Sequence, residues 1–207
     1  MPTMPAETTI FTIGHSNHTL GRFVDLLHHN GVTAVADVRS VPYSRMQIQF
    51  NREALNAALK GHGIGYGFLG KELGARSDDM TCYDNGRVQY RRLAATELFR
   101  TGLHRVRMGK ERNRIALMCA EREPLECHRT LLVGRELVAL GANVIHIHAD
   151  GHLEPHADAI RRLFQRLGLP DRDLFRTPSE ILDEAYSKQE LRVAYVNEHL
   201  VAESREA

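Results

Sequence analysis

Three short stretches of this chain carry groups that bind anions, move protons or attack electrophiles. They are Gly14-His15-Ser16, then Asp37-Val38-Arg39 with Ser44 and Arg45 just beyond, then Cys119-x-Glu121 followed by Cys127-His128-Arg129. Connecting loops ordinarily hold Gly, Asn, Asp and Ser for their turn chemistry, so three loops of this composition are read as one site. Cys119 ends an apolar run and precedes a helix start, and Arg129 follows it. A cysteine beside helix N-termini and arginines has a lowered pKa and is nucleophilic; the alternative is a small buried apolar residue. His15 suits general acid–base work near neutral pH, with Gly14 allowing a sharp turn before it. Asp37 serves as a base, as an acceptor for a ribose hydroxyl, or as the carboxylate that orients His15 or Arg39. Arg129 offers a planar fork for carboxylate or phosphate at a helix start, where backbone N–H groups are free; its structural alternative is an ion pair with Asp37. The catalytic candidates are therefore His15, Asp37, Cys119 and Glu121. The substrate-binding candidates are Gly14, Ser16, Arg39, Ser44, Arg45, Cys127, His128 and Arg129.

A metal is the next consideration. Cys119, Glu121, Cys127 and His128 are all ligand types, and zinc accepts such a mixture. The interval from Cys119 to Cys127 is not the short Cys-x-x-Cys type of knuckle, and adjacent residues in one helical turn point different ways. No metal is assigned from the sequence, and the cofactor is left unknown.

These loops need elements to position them. Five short apolar segments read as strands: Thr9–Ile13, Ala34–Val38, Ile64–Phe68, Ile115–Cys119 and Val144–His148. Near-continuous apolar runs are the mark of parallel strands buried on both faces. Helical spacing fills the gaps. Leu20, Phe23 and Leu27 form one helix stopped by Gly31, and Asn51 caps a second carrying Leu55 and Leu59. Leu131, Leu132 and Val138 form a third, and Ile160, Leu163 and Leu167 a fourth. Thr177-Pro178-Ser179-Glu180 has capping-box spacing and opens a last helix over about 178–198. The result is one α/β domain over residues 1–207, three-layered, with a mainly parallel sheet and helices on both faces. A polar, turn-rich stretch at about 70–90 is read as a long loop or lid. In open α/β sheets ligands bind outside the carboxyl ends of the strands, where the three loops fall. Gly14, His15, Arg39, Cys119 and Arg129 are expected to meet there, with at least one of the two arginines facing the cleft.

Composition narrows the classes. The 207 residues are 43% hydrophobic, and 27 Lys+Arg against 26 Asp+Glu leave a net charge of +1. That balance calls for neither nucleic acid nor a membrane surface. Arg105 to Arg114 is a basic stretch, but Glu111 interrupts it and no aromatics are interleaved for base stacking. No apolar run approaches the roughly 20 residues that span a bilayer. Met1–Thr8 lacks a leader pattern, and three cysteines suit a reducing cytosol, so a cytoplasmic protein is expected.

The motifs Thr12-Ile13-Gly14-His15-Ser16, Asp37-Val38-Arg39 with Pro42 and Ser44, Leu69-Gly70 and Leu73-Gly74, and Cys119-x-Glu121 through Cys127-His128-Arg129 resemble the bacterial and archaeal family called domain of unknown function 488. The resemblance runs from about Thr9 to the last helix; family members often have a second glycine where this chain has Lys71. It implies an α/β fold and a shared site, and it brings no reaction with it. From the residues, the expectation is an enzyme, a hydrolase or transferase, acting on a small anionic and nucleotide-like substrate. The competing readings are a non-catalytic ligand-binding or regulatory module, and a cysteine-based redox or metal-binding protein. Oligomeric state is not legible.

Overall fold

The structure, a computed structural model, describes residues 9–201. Met1–Thr8, where the absence of a leader was read, lies outside them. The central sheet contains β1 (Ile10–Gly14), β2 (Ala34–Asp37) and β3 (Gly65–Phe68), then β6 (Ile115–Cys119), β7 (Val144–Ile147) and β8 (Leu153–Pro155). Their order is β3-β2-β6-β1-β7-β8, parallel throughout except that β8 runs antiparallel to β7. A separate hairpin pairs β4 (Tyr83–Asp84) with β5 (Arg87–Val88).

Alternation along the strands feeds two cores. On β6, Ile115, Leu117 and Cys119 enter one, and Ala116 and Met118 the other. Helices α1 (Leu20–His29) and α2 (Arg52–Gly61) cover the second face with Phe23, Leu27, Leu55 and Leu59, all fully buried. Each such side chain contributes about 1.5–3 kcal/mol by leaving water. Helices α5 (Glu97–Gly109), α7 (His156–Leu167) and α8 (Pro178–Val193) cover the first face through Val106, Leu163 and Ala185. The three-layer reading therefore holds.

Local signals explain the helix ends. Thr19 caps α1 by accepting from Arg22 N, and the Thr177/Glu180 capping box is formed at α8, which stops at Val193, short of 198. Asn51 precedes α2 as read, but its side chain accepts from Ser44 N instead of capping the helix. The helix read through Leu131 and Val138 is a π-helical turn, Arg129–Gly134, running into α6 (Arg135–Ala139).

The stretch at 70–90 is not an open loop. It holds α3 (Gly70–Leu73), the β4–β5 hairpin and the start of α4 (Tyr90–Ala94). Leu73, Cys82, Tyr83 and Val88 enter the core, and Val88 N donates to Tyr195 O beyond α8. Its buried apolar residues, Leu73, Cys82, Tyr83 and Val88, follow no helical or strand period in the sequence. The basic stretch is also partly committed: Arg105 pairs with Glu72, and the Arg114 guanidinium lies 4.8 Å from the Phe11 ring centre. No helix among the described residues is long and apolar enough to cross a membrane.

One topological step sets up the site. The chain passes from β1 to β2 and leaves a gap that β6 later fills. Gly14 then stands beside Cys119, and Asp37 beside Met118. The loops after β1, β2 and β6 emerge side by side at one sheet edge.

Candidate functional site

Two clusters flank the end of β6. The first lies on the α1/α2 face. Asp37 is fully buried and accepts from Arg39 three times: from its backbone N (3.1 Å), Nε (2.9 Å) and Nη2 (2.7 Å). It also accepts from the Tyr66 hydroxyl at 2.8 Å. Arg39 donates further to Phe50 O at 2.8 Å and to His15 Nε2 at 3.2 Å. His15 stacks on Phe50 with ring centres 4.4 Å apart and donates from Nδ1 to Ser16 O at 2.9 Å. Both its nitrogens are engaged. Burial lowers its pKa and the Arg39 charge adds to this, so the ring is neutral. Asp37 thus takes the Arg39-orienting role among those read for it, and His15 buttresses the same arginine.

The second cluster lies on the other face. Cys119 Sγ is 3.6 Å from His128 Nδ1, and Cys127 Sγ is 3.9 Å from the same nitrogen. Cys127 Sγ donates to Glu121 Oε2 at 2.9 Å. One donor atom from each of the four residues lies within 4.8 Å of all the others. The objection that Cys127 and His128 point apart assumed both were helical. Cys127 is extended (φ −138°, ψ 139°) and only His128 turns into the helix (φ −61°, ψ −24°), so the two side chains converge. The His128 Nε2 proton goes to Val38 O at 2.9 Å, which aims the Nδ1 lone pair at the sulfurs.

The two sulfurs differ in their charged neighbours. Burial pushes the Cys119 thiol well up, helped by the neighbouring Cys127. Burial also opposes ionisation of Cys127, but the hydrogen bond with Cys119, the Arg129 charge and His128 outweigh it and hold that thiol well below its ordinary value. Burial and the Cys127 charge raise the Glu121 carboxyl.

Arg129 does not reach the cleft. It is fully buried, donating from Nη1 to Glu121 O at 2.6 Å and from Nη2 to Arg122 O at 3.3 Å, while Nε has no partner among the described residues. Its backbone N–H points at Cys127 Sγ, 3.4 Å away. Of the two arginines, Arg39 is the one at the cavity, and it already carries Asp37. Ser44 accepts from Met46 N and Gln47 N and stabilises a local turn, and Arg45 is exposed; neither lines the cavity. Ser16, with φ of 47°, turns the chain and donates to Asn17.

Gly14 matters through close approach. A Cβ there would lie 1.9 Å from Glu121 O, in a sheet edge where His15 N and Ser16 N donate to Cys119 O and Ala120 O, both at 2.9 Å. Gly14→Ala should therefore cost about 1–3 kcal/mol, as overpacking does, read as a lowered urea midpoint. An unchanged midpoint would show that the two loops separate freely.

A cavity of about 270 Å³ lies over the second cluster. Cys119, Glu121, Cys127 and His128 form its floor, and Arg39, Arg76, Tyr90 and Tyr195 stand in its walls. The Arg76 guanidinium lies 4.4 Å from the Tyr195 ring centre, and its backbone N is anchored on Ser40 Oγ at 3.0 Å. Among the described residues no carboxylate pairs with that guanidinium. Sequence reasoning passed over Arg76, Tyr90 and Tyr195. The signal available for Arg76 was a cation inside a turn-rich stretch of functional length.

An open, mostly parallel sheet with thiols, an imidazole and a carboxylate under a cavity at its carboxyl edge defines an α/β protein of the kind that places its site at strand ends. Residues 19–135 match the family described as domain of unknown function DUF488, and the chain belongs to that family. The matched span holds Asp37, Arg39 and the whole Cys119–Arg129 loop. No curated protein and no solved structure matches the chain.

Proposed function

We propose that the protein is an enzyme, a hydrolase or transferase, acting on a small anionic substrate in the cavity at the ends of β2, β6 and β1. One observation carries this reading: a reactive floor of two thiols, an imidazole and a carboxylate faces a wall holding Arg76, a cation without a carboxylate partner among the described residues. A cation so placed is ready to take a ligand anion bidentately. The volume lies just below the usual range for ligand sites, about 300–1,000 Å³. It suits a phosphate or carboxylate, or the anionic end of a nucleotide. The Tyr90 hydroxyl, in the same wall, is a donor for charge developing on the substrate. Three free cysteines fit a cytoplasmic setting.

Titration calorimetry with inorganic phosphate, nucleotides and sugar phosphates tests the reading. Arg76→Ala should weaken binding of the preferred anion by roughly 10–100-fold, the worth of one charge-assisted contact of about 1.5–3 kcal/mol. Equal affinity in both proteins removes Arg76 from the site, and no binding by wild type ends the anionic-substrate reading. If Cys127→Ser retains both anion binding and full turnover of the bound anion, the floor takes no part in the chemistry.

A further inference from the structure

We propose that Cys119, Glu121, Cys127 and His128 bind one divalent metal ion of the zinc class on the floor of this cavity. The proposal deepens the enzyme reading and rests on it for the claim that the ion is catalytic.

The spacing fits. With metal–sulfur bonds of about 2.3 Å and metal–nitrogen bonds of about 2.0–2.1 Å, a tetrahedral site has sulfur–nitrogen edges of roughly 3.6 Å. The two sulfurs stand 3.6 Å and 3.9 Å from His128 Nδ1. The Glu121 Oε2 to Cys127 Sγ separation, 2.9 Å, is a hydrogen-bond distance. It opens by roughly 0.6–0.8 Å, to the sulfur–oxygen edge of a tetrahedral site, when the thiol proton leaves to solvent and the ion takes its place.

The surroundings fit as well. A histidine that ligates a metal almost always gives its other N–H to a carbonyl or carboxylate. His128 gives Nε2–H to Val38 O, a backbone partner fixed by the β2–β6 ladder. Arg129 supplies the charge argument. Among the described residues its side chain bonds only to carbonyls and leaves one N–H unpaired; it is fully buried, and its backbone N–H faces Cys127 Sγ. A buried cation needs a counter-charge. Two thiolates, one carboxylate and a divalent ion sum to one negative charge, which Arg129 balances.

The donor set selects the ion. Two sulfurs and an imidazole favour borderline-soft ions and disfavour magnesium and calcium, which want oxygen. The burial pattern selects the role. Cys119, Cys127 and His128 are buried residues, whereas Glu121 is an exposed residue whose carboxyl end turns inward onto Cys127 at the cavity floor. Three fixed ligands and one exchangeable position is the arrangement of a catalytic site, as opposed to a closed structural one. Glu121 is the ligand that gives way to water or to the substrate anion.

Cobalt(II) is the probe. The full chain, reduced and stripped with chelator, is titrated with Co²⁺ and followed by absorption. The expected result is one ion per chain, with tetrahedral d–d bands and a sulfur-to-cobalt charge-transfer band, both displaced by Zn²⁺. Cys119→Ser and Cys127→Ser should each weaken the charge-transfer band, and the double variant should lose it. Glu121→Gln, at an exposed residue, should stay folded by circular dichroism, keep the charge-transfer band and bind at least about tenfold more weakly. The proposal is overturned if folded, fully reduced wild type shows no charge-transfer band, or if the double cysteine variant keeps it. A Cys119–Cys127 disulfide found by mass spectrometry in the protein as isolated without reductant would overturn it in favour of a redox pair. Phosphate and nucleotide calorimetry on the same preparations separates the two claims. Metal without anion binding keeps the centre and ends the enzyme reading; anion binding without metal does the reverse.

Discussion

Asp37→Ala is expected to cost about 3–5 kcal/mol, the penalty for leaving one partner of a buried ion pair alone. Total stabilities are about 5–15 kcal/mol, so the variant should be close to unfolded. The geometry makes the loss severe. Asp37 accepts three bonds from Arg39 and one from Tyr66, and Arg39 is only 5% exposed. Without the carboxylate, the guanidinium keeps only Phe50 O and His15 Nε2. Urea denaturation of the single variant and of Asp37→Leu/Arg39→Met decides the matter. The double variant, with no charge left to strand, should be the more stable of the two. A single-variant loss below about 1 kcal/mol, the range of an exposed pair, would show that this pair does not hold the loop after β2.

Mild acid should have an effect of similar size. Thr12 Oγ1, His146, His156 and the Tyr186 hydroxyl form a buried chain, with successive separations of 2.7, 3.2 and 2.9 Å. Burial holds His146 well below the ordinary histidine value, reinforced by the charges of His156, Arg129, His148 and Arg162. Burial takes His156 down to about 4 against the opposing pull of Glu154. The unfolded chain then binds protons that the folded one refuses. Stability is full above the unfolded value of about 6.5 and falls by about 1.4 kcal/mol per pH unit for each ring until the folded value is passed. His15, also lowered by burial, adds to the same slope. His128 is shifted the other way, so it adds nothing to this acid limb. His156 alone removes roughly 2 kcal/mol between pH 6.5 and about 4.5, and His146 acts in the same direction. Urea unfolding at a series of pH values measures the slope, and His146→Gln should flatten it by about one proton. The same acid limb in that variant would clear the buried chain of responsibility.

The sheet was legible because its parallel strands are buried on both faces and so read as apolar runs, such as Ile115–Cys119. β8 was not: three residues, two of them exposed and one a proline, carry no such run. The hairpin after α3 hid for the related reason that its strands are two residues each, with Tyr83 and Val88 its buried residues. At the candidate site, the strand-end rule brought Gly14, His15, Asp37, Arg39 and Cys119 to one edge. It could not tell which charge would choose which. Asp37 takes Arg39, two residues along the same loop, and Arg129 goes to the carbonyls of Glu121 and Arg122. Nor could spacing reveal that Cys127 is extended, the one backbone fact that turns its sulfur toward His128. Arg76 and Tyr195 meet across the cavity from distant parts of the chain, a contact that only the packed hairpin creates.

The insertion of β6 between β1 and β2 has a bearing on how the chain is born. Phe11 and Ala116 are neighbours in the sheet but about a hundred residues apart in sequence. During synthesis β1, β2 and β3 leave the ribosome long before the strand that separates the first two. Until then β1 and β2 each carry a row of unpaired N–H and C=O groups, and unpaired edges of this kind are templates for wrong partners. Direct pairing of β1 with β2 is the nearest error, and it closes the slot that β6 must enter. Contacts of such separation form slowly, so the arrival of β6 is the committing step. The late strand β6 also brings Cys119, so a nascent chain ending before Ile115 has no floor to its cavity.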